Sequence, residues 1–248
     1  MNRATQLALN RVNQRFYAQI AEQWPHKRKH PWPGFQRIHA LRLAAHSGNE
    51  SALDLGCGDG RFAQFLADQH AQCSYLGIDN SPALLDLAAQ RALPASFRFE
   101  HADFVEEPLA QLLRGSQFQL IVLLGVLHHI PGSAQRKELV RELAKHLAPA
   151  GHFIFTVWRL DEDPRFSSRC VPFDTYNENA DEPLDLEQLE SGDTLLRWDD
   201  AKAPRYCHFP DLAELSQLIA ATGLVELERY RADGHLNRMN EYVVLRPL

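Results

Sequence analysis

At 248 residues, with 45% hydrophobic and 23% charged side chains, the chain has the composition of a globular protein with a sizeable core, which excludes a disordered or fibrous polypeptide. The longest strongly apolar run, Leu120 to Leu127, is too short to cross a bilayer, and the polar start MNRATQLALNRVNQ lacks a signal-peptide core, so no membrane association and a cytoplasmic location are expected. The net charge of −6 is uneven: residues 161–200 hold thirteen acidic side chains against three Arg, leaving the rest of the chain near +4.

In chain order, residues 3–23 have helical apolar spacing through Leu7, Leu9, Val12, Phe16, Ile20 and Ala21. A break rich in proline and aromatics runs from Trp24 to Gly34, with the basic cluster His26-Lys27-Arg28-Lys29-His30 inside it. A helix over Phe35 to His46 leads to a strand over Ala52 to Leu55. Strands are then predicted at Cys73 to Ile78, Phe97 to His101, Phe118 to Leu124 and His152 to Trp158. Helices are predicted between them at Arg61 to His70, Ser81 to Ala92 and Ser133 to Leu147. Residues 161–204 are acidic and broken by Pro164, Pro172, Pro183 and Pro204, and read as an irregular insertion over the active-site edge. A helix over Phe209 to Thr222 and strands over Leu224 to Tyr230 and Tyr242 to Arg246 close the chain. The alternation predicts a doubly wound, Rossmann-like α/β sheet in a single domain, residues 1–248. Within it, residues 1–47 form a helical cap, 48–160 a ligand-binding core, 161–204 the insertion and 205–248 the closing helix and strands. The four cysteines show no CxxC spacing, so reduced thiols and no metal site are expected.

Three elements point to a nucleotide-like ligand. Asp54-Leu55-Gly56-Cys57-Gly58-Asp59-Gly60 follows a buried strand and opens a helix, where glycines permit a sharp turn and close ligand approach. A dinucleotide loop expects G-x-G-x-x-G, whereas Arg61 holds the place of the third glycine. The acid before the loop disfavours a pyrophosphate and suits a cationic ligand. Asp79 closes the second strand, where a carboxylate can accept from two ribose hydroxyls. Ala102-Asp103-Phe104 follows the third strand, with Asp103 suited to an exocyclic amine and Phe104 to covering a ring.

These residues resemble the class I S-adenosylmethionine-dependent methyltransferases over about residues 50–160. The resemblance implies a seven-stranded sheet with its last strand antiparallel. It also implies S-adenosyl-L-methionine held by Asp54, Gly56, Gly58, Asp79, Asn80, Asp103, Phe104 and Gly125, with Tyr17 closing over it. Shorter segments look like the tRNA wobble-uridine carboxymethyl methyltransferases, which esterify a carboxymethyl group on the base. They are Phe16-Tyr17, Pro31-Trp32-Pro33, Val126-Leu127-His128-His129, Val171-Pro172-Phe173, Arg205-Tyr206-Cys207-His208 and Asn240-Glu241-Tyr242-Val243. Phe173, Cys207 and Glu241 depart from that pattern, where the family has Trp, Tyr and Trp.

A carboxylate nucleophile is ionised at neutral pH and needs positioning rather than a base, whereas a hydroxyl or amine wants one. His128, beyond the fourth strand, is expected to contact substrate or donor, and Arg205 and His208 to orient an anionic substrate. Lys27, Arg28 and Lys29 are candidates for phosphate contact. The leading expectation is methylation of a tRNA wobble uridine, with a small activating protein partner kept open. The alternatives are a small-molecule O- or N-methyltransferase and a catalytically silent donor-binding protein.

Overall fold

A computed structural model describes residues 1–24, 30–45, 50–198 and 202–248, so Lys27, Arg28 and Lys29 lie outside the described residues. Helix α1 (Arg3–Ile20) begins at Asn2, whose side chain accepts from the Thr5 amide, and runs into a 3-10 turn at Ala21–Gln23. Helix α2 (Phe35–Ala45) precedes β1 (Glu50–Leu55), and α3 (Arg61–Asp68) joins it to β2 (Cys73–Asp79). Helix α4 (Pro82–Ala89) is capped by Ser81, with Pro82 in its first turn. Strand β3 (Phe97–His101), the short α5 (Leu109–Leu113), β4 (Phe118–Leu123), α6 (Ser133–Lys145) and β5 (Leu147–Trp158) follow.

The main sheet has seven strands in the order β3-β2-β1-β4-β5-β10-β9, where β9 is Val225–Ala232 and β10 is Asn240–Arg246. Strands β1 to β5 are parallel, and β10 runs antiparallel to both β5 and β9. This is the seven-stranded arrangement with an antiparallel last strand. One face carries a core of Leu53, Ile121, Phe153 and Val243 with Val140 and Leu215 from the covering helices. The other joins Ala52, Val122, Ile154 and Val244 to Phe35, Ile38, Phe62 and Phe65. Two covered faces explain why β4 reads as an unbroken apolar run.

The order of strand addition reverses between the parallel neighbours β1 and β4, so their carboxyl ends open a crevice at the switch point. Above it, the structure corrects one expectation. Residues 161–204 are not wholly irregular: β6 (Cys170–Val171) and β7 (Asp193–Leu196) pair with β8 (Arg205–His208) in a three-stranded antiparallel sheet. Helix α1 covers it, with Leu9 and Val12 packed on Val171, Leu184, Leu195 and Tyr206. Two- to four-residue strands are too short to register as a period among so many acids. Those acids have structural partners: Glu182 pairs with Arg11, and Glu190 with Arg136.

Candidate active site

The loop after β1 is built around a backbone that only glycine allows. Gly56 has φ of 78°, and a Cβ there would lie 2.2 Å from Val126 Cγ2. At Gly58 (φ 55°) a Cβ would meet only Leu84 Cδ1, at 3.9 Å, so the space over that peptide is open to a ligand. The Gly58 amide donates to Asp79 Oδ2 at 2.8 Å and the Ser81 amide to Oδ1 at 2.9 Å, which fixes the carboxylate while leaving it further acceptor capacity. Burial raises the Asp79 carboxyl to about 6, against the pull of those amides. Burial likewise raises Asp54 to about 7, although the Tyr75 hydroxyl donates to its Oδ2 at 2.5 Å. Two desolvated carboxylates on one wall fit a ligand that brings positive charge and hydroxyls, and oppose a pyrophosphate.

The crevice widens into a cleft of about 1000 Å³, open to solvent. Asp54, Gly56, Gly58, Asp79, Asn80, Phe104, Gly125, Tyr17 and Arg205 all line it. Asp103 does not. Its Oδ2 accepts from Asn10 Nδ2 and Gln14 Nε2, each at 2.8 Å, and its Oδ1 from the Val105 amide, so it fastens α1 rather than meeting an amine in the cleft.

The opposite wall is aromatic. Arg205 is buried at 3% exposure, its guanidinium carbon 4.6 Å from the Trp158 ring centre, 4.9 Å from Trp198 and 5.6 Å from Phe16. Its Nε and Nη1 have no hydrogen-bond partner among the described residues. A buried cation held on three rings with unused donors is suited to an anion entering from the cleft. Trp24, stacked 6.1 Å from Trp198, donates its indole N–H to Asp59, and Trp32 lies beneath the Arg61 guanidinium at 4.7 Å.

Two expected contributors are displaced. His128 is 1% exposed and stacks behind Trp158 with ring centres 3.7 Å apart, so the neighbouring residue, His129, lines the cleft instead. A one-residue step reverses the facing within the 3-10 turn Leu127–His129, which sequence spacing alone does not resolve. His208 points away into an ionic cluster, Nδ1 2.7 Å from Asp193 and Nε2 2.7 Å from Glu214, with Arg136 joined to Glu190 and Glu214. It ties β8 to α6 and to α7 (Leu212–Thr222), and so supports Arg205 without touching the cleft.

Asn13, Trp24 and Trp158, to which the sequence pattern assigns no site role, also line the cleft, together with Trp32 and His129 of the resembled segments. For α1 a signal was present, since Asn10, Asn13 and Tyr17 fall at i, i+3 and i+7 on a face that is otherwise buried. Asn13 bridges two elements, its Nδ2 donating to the His129 carbonyl and its Oδ1 accepting from the Tyr206 amide. Glu241, a departure from the resembled pattern, accepts from Arg159 Nε at 2.5 Å in a buried pair. Among the described residues, His128, His129 and Cys207 bring ligand-type atoms within 4.8 Å of one another. Both His129 nitrogens are already engaged, by Tyr17 and by the Tyr206 carbonyl, which leaves that trio short of a ligand set.

Residues 53–153 match the family model described as a methyltransferase domain. The mouse protein named tRNA (carboxymethyluridine(34)-5-O)-methyltransferase is 29% identical over 160 residues, 64% of this chain and 22% of that protein. A rice protein named probable tocopherol O-methyltransferase, chloroplastic, is 32% identical over 114 residues, 44% of this chain and 29% of its own length. The chain spans about a fifth to a third of the length of the curated relatives it matches. Among solved structures, the N-methyltransferase NodS from Bradyrhizobium japonicum, in complex with S-adenosyl-L-homocysteine, superposes with a TM-score of 0.57 at 18% identity, covering 98% of each chain.

Proposed function

We propose that the chain, whose residues 53–153 match a methyltransferase domain, transfers the methyl group of S-adenosylmethionine to a carboxylate, that of a carboxymethyl group on a tRNA wobble uridine. The observation that carries this reading is Arg205, a buried guanidinium with unused donors on the cleft wall facing the glycine loop. The mouse relative's name supports it independently.

S-adenosylmethionine supplies an electrophilic methyl on a sulfonium. Asp79 would accept from the ribose hydroxyls, the Gly56–Gly58 backbone would seat the amino-acid end beside Asp54, and Asn80 and Phe104 would flank the adenine. Arg205 would hold the acceptor carboxylate by hydrogen bonds to one oxygen, leaving the other to attack in line; such alignment is worth roughly 7–11 kcal/mol. Helix α1 and the aromatic wall would exclude water. A carboxylate acceptor also fits the lack, among the described residues, of a suitable base on this wall. Burial, and next to it the Arg205 charge, push His129 down to about 3, and its Nε2 is occupied by Tyr17.

Nucleoside mass spectrometry of tRNA from cells with and without the gene tests the proposal. Loss of a methyl-ester nucleoside, with its free acid accumulating, is expected on deletion. An unchanged tRNA profile would favour the second reading, a small-molecule O-methyltransferase, which the acidic stretch 161–200 and the rice relative support.

A further inference from the structure

Arg61 opens α3 immediately after the glycine loop and lines the cleft with Asp54, Gly56 and Gly58. Its Nε is buried and has no hydrogen-bond partner among the described residues. The acid two places before it is taken, because Asp59 pairs with Arg91 and accepts from the Trp24 indole at 3.2 Å. Burial pulls the Arg61 pKa down, yet a guanidinium remains a cation at neutral pH. That cation rests on an aromatic support, its central carbon 4.7 Å from the Trp32 ring centre. Trp32 packs on Phe35 with ring centres 5.5 Å apart, and Phe35 on Phe62 at 5.0 Å. The segment is pinned at Gly34, whose amide donates to Asp233 at 2.9 Å and whose carbonyl accepts from the Tyr230 hydroxyl at 3.0 Å. A ring face holds the charge without using any of its N–H donors.

Asp54 stands at the other end of the same loop. Its carboxyl is raised chiefly by burial, and the Arg61 charge works against that rise, so the two groups feel each other. A desolvated carboxylate and a cation with unused donors, flanking one glycine loop, complement a ligand group that carries both signs. The amino-acid end of S-adenosylmethionine is such a group. The adenine and ribose are uncharged and the sulfonium is positive, so the α-carboxylate is the donor's one anion. We propose that Arg61, backed by Trp32, binds the α-carboxylate of the methyl donor and makes the pocket selective for donors that retain it. Arg61 is then a donor-binding residue, and Trp32 a positioning residue that acts through it. Arg205 lies on the opposite wall, which leaves the methyl acceptor a cation of its own. The inference rests on S-adenosylmethionine as the donor and is independent of what receives the methyl group.

The test is calorimetric titration of the full chain with two ligands, S-adenosylhomocysteine and its decarboxylated analogue S-adenosyl-3-thiopropylamine. The wild type should bind the first about 10- to 100-fold more tightly, as a charge-assisted contact to one carboxylate provides. Arg61→Met and Arg61→Gln should lose that factor toward S-adenosylhomocysteine and bind the analogue as the wild type does; either suffices if the other does not fold. Arg61→Lys should keep part of the preference, since a point charge remains without the planar fork. Trp32→Leu should cost about threefold toward S-adenosylhomocysteine alone, and Trp32→Phe, which keeps a ring face, should recover most of it. Equal wild-type affinity for the two ligands would overturn the proposal. So would an Arg61→Met or Arg61→Gln loss of the same size toward both, which is the mark of a merely structural residue. A wild type that binds no S-adenosylhomocysteine would overturn the donor reading together with this proposal, whereas binding without preference overturns this proposal alone.

Discussion

Replacing Arg205 by Met separates a binding role from a structural one, because the two make opposite claims about stability. Met keeps an unbranched apolar stem among Phe16, Trp158 and Trp198 and removes the charge. Three ring contacts are lost, each worth about 0.5–2 kcal/mol. Against this, two donors without partners disappear, Nε and Nη1, each costing about 1–3 kcal/mol while buried. The terms are of similar size and opposite sign, so folding stability should stay within about 1 kcal/mol of the wild type, a melting shift of about 2–4 °C for a domain of this length. Turnover should not survive so well. A hydrogen bond to a charged group contributes about 1.5–3 kcal/mol, so kcat/KM for the carboxylate acceptor should fall about 10- to 100-fold. Calorimetric melting, donor titration and initial rates on one preparation give all three quantities. A fall of more than about 10 °C in Tm, with donor affinity lost in step, would show that Arg205 is a structural cation and would refute the argument.

Donor affinity should rise with pH. Asp79 is held at about 6 and Asp54 at about 7, and a cationic donor favours their ionised forms, so binding should strengthen through that range and level off above it; a flat calorimetric profile contradicts this. Asp79→Asn should weaken donor binding and flatten the lower part of the same curve. Gly56→Ala combines a left-handed φ, costing about 1–2 kcal/mol, with a collision against Val126, so donor binding should be lost while the remaining fold, seen by circular dichroism, persists. His208→Ala should destabilise the chain by about 3 kcal/mol, because it leaves Asp193 and Glu214 without their shared partner. The pH signs follow from the same cluster. Burial opposes the charged imidazole, but its bonds to Asp193 and Glu214 outweigh that and raise His208 above 6.5. Its contribution is therefore complete below 6.5 and lost as pH rises through the raised value. Burial opposes Glu214 as well, yet His208 and Arg136 bring it down to about 2, so its contribution is present above 4.5 and lost as pH falls towards 2. Chemical denaturation at stepped pH should show a plateau between 4.5 and 6.5 for the wild type that is reduced in His208→Ala.

Most of the core was legible because each part obeys a local rule. Strands such as Phe97–His101 stand out by apolar spacing, Ser81 and Pro82 mark a helix start, and the glycine loop announces a turn that no other residue fits. The small sheet was hidden, since Cys170–Val171 and Asp193–Leu196 pair across more than twenty residues and have too few positions to show a period. The acceptor wall was legible only in part. Arg205 stands out as a cation, but whether His128 or His129 faces the cleft depends on the phase of a three-residue 3-10 turn. Asp103 sits where a ligand contact was expected, yet its carboxylate is taken by Asn10 and Gln14, some ninety residues earlier in the chain. Polar pairings of that kind follow from tertiary contact and leave no local trace.

The most direct test of the central claim is transfer of isotope-labelled methyl from S-adenosylmethionine to a carboxymethyluridine stem-loop by the purified chain, followed by mild alkali. Transfer to a carboxylate predicts label that is absent from an unmodified-uridine control and is released by alkali as methanol. Label that survives alkali, or label incorporated equally into the control, would contradict the account.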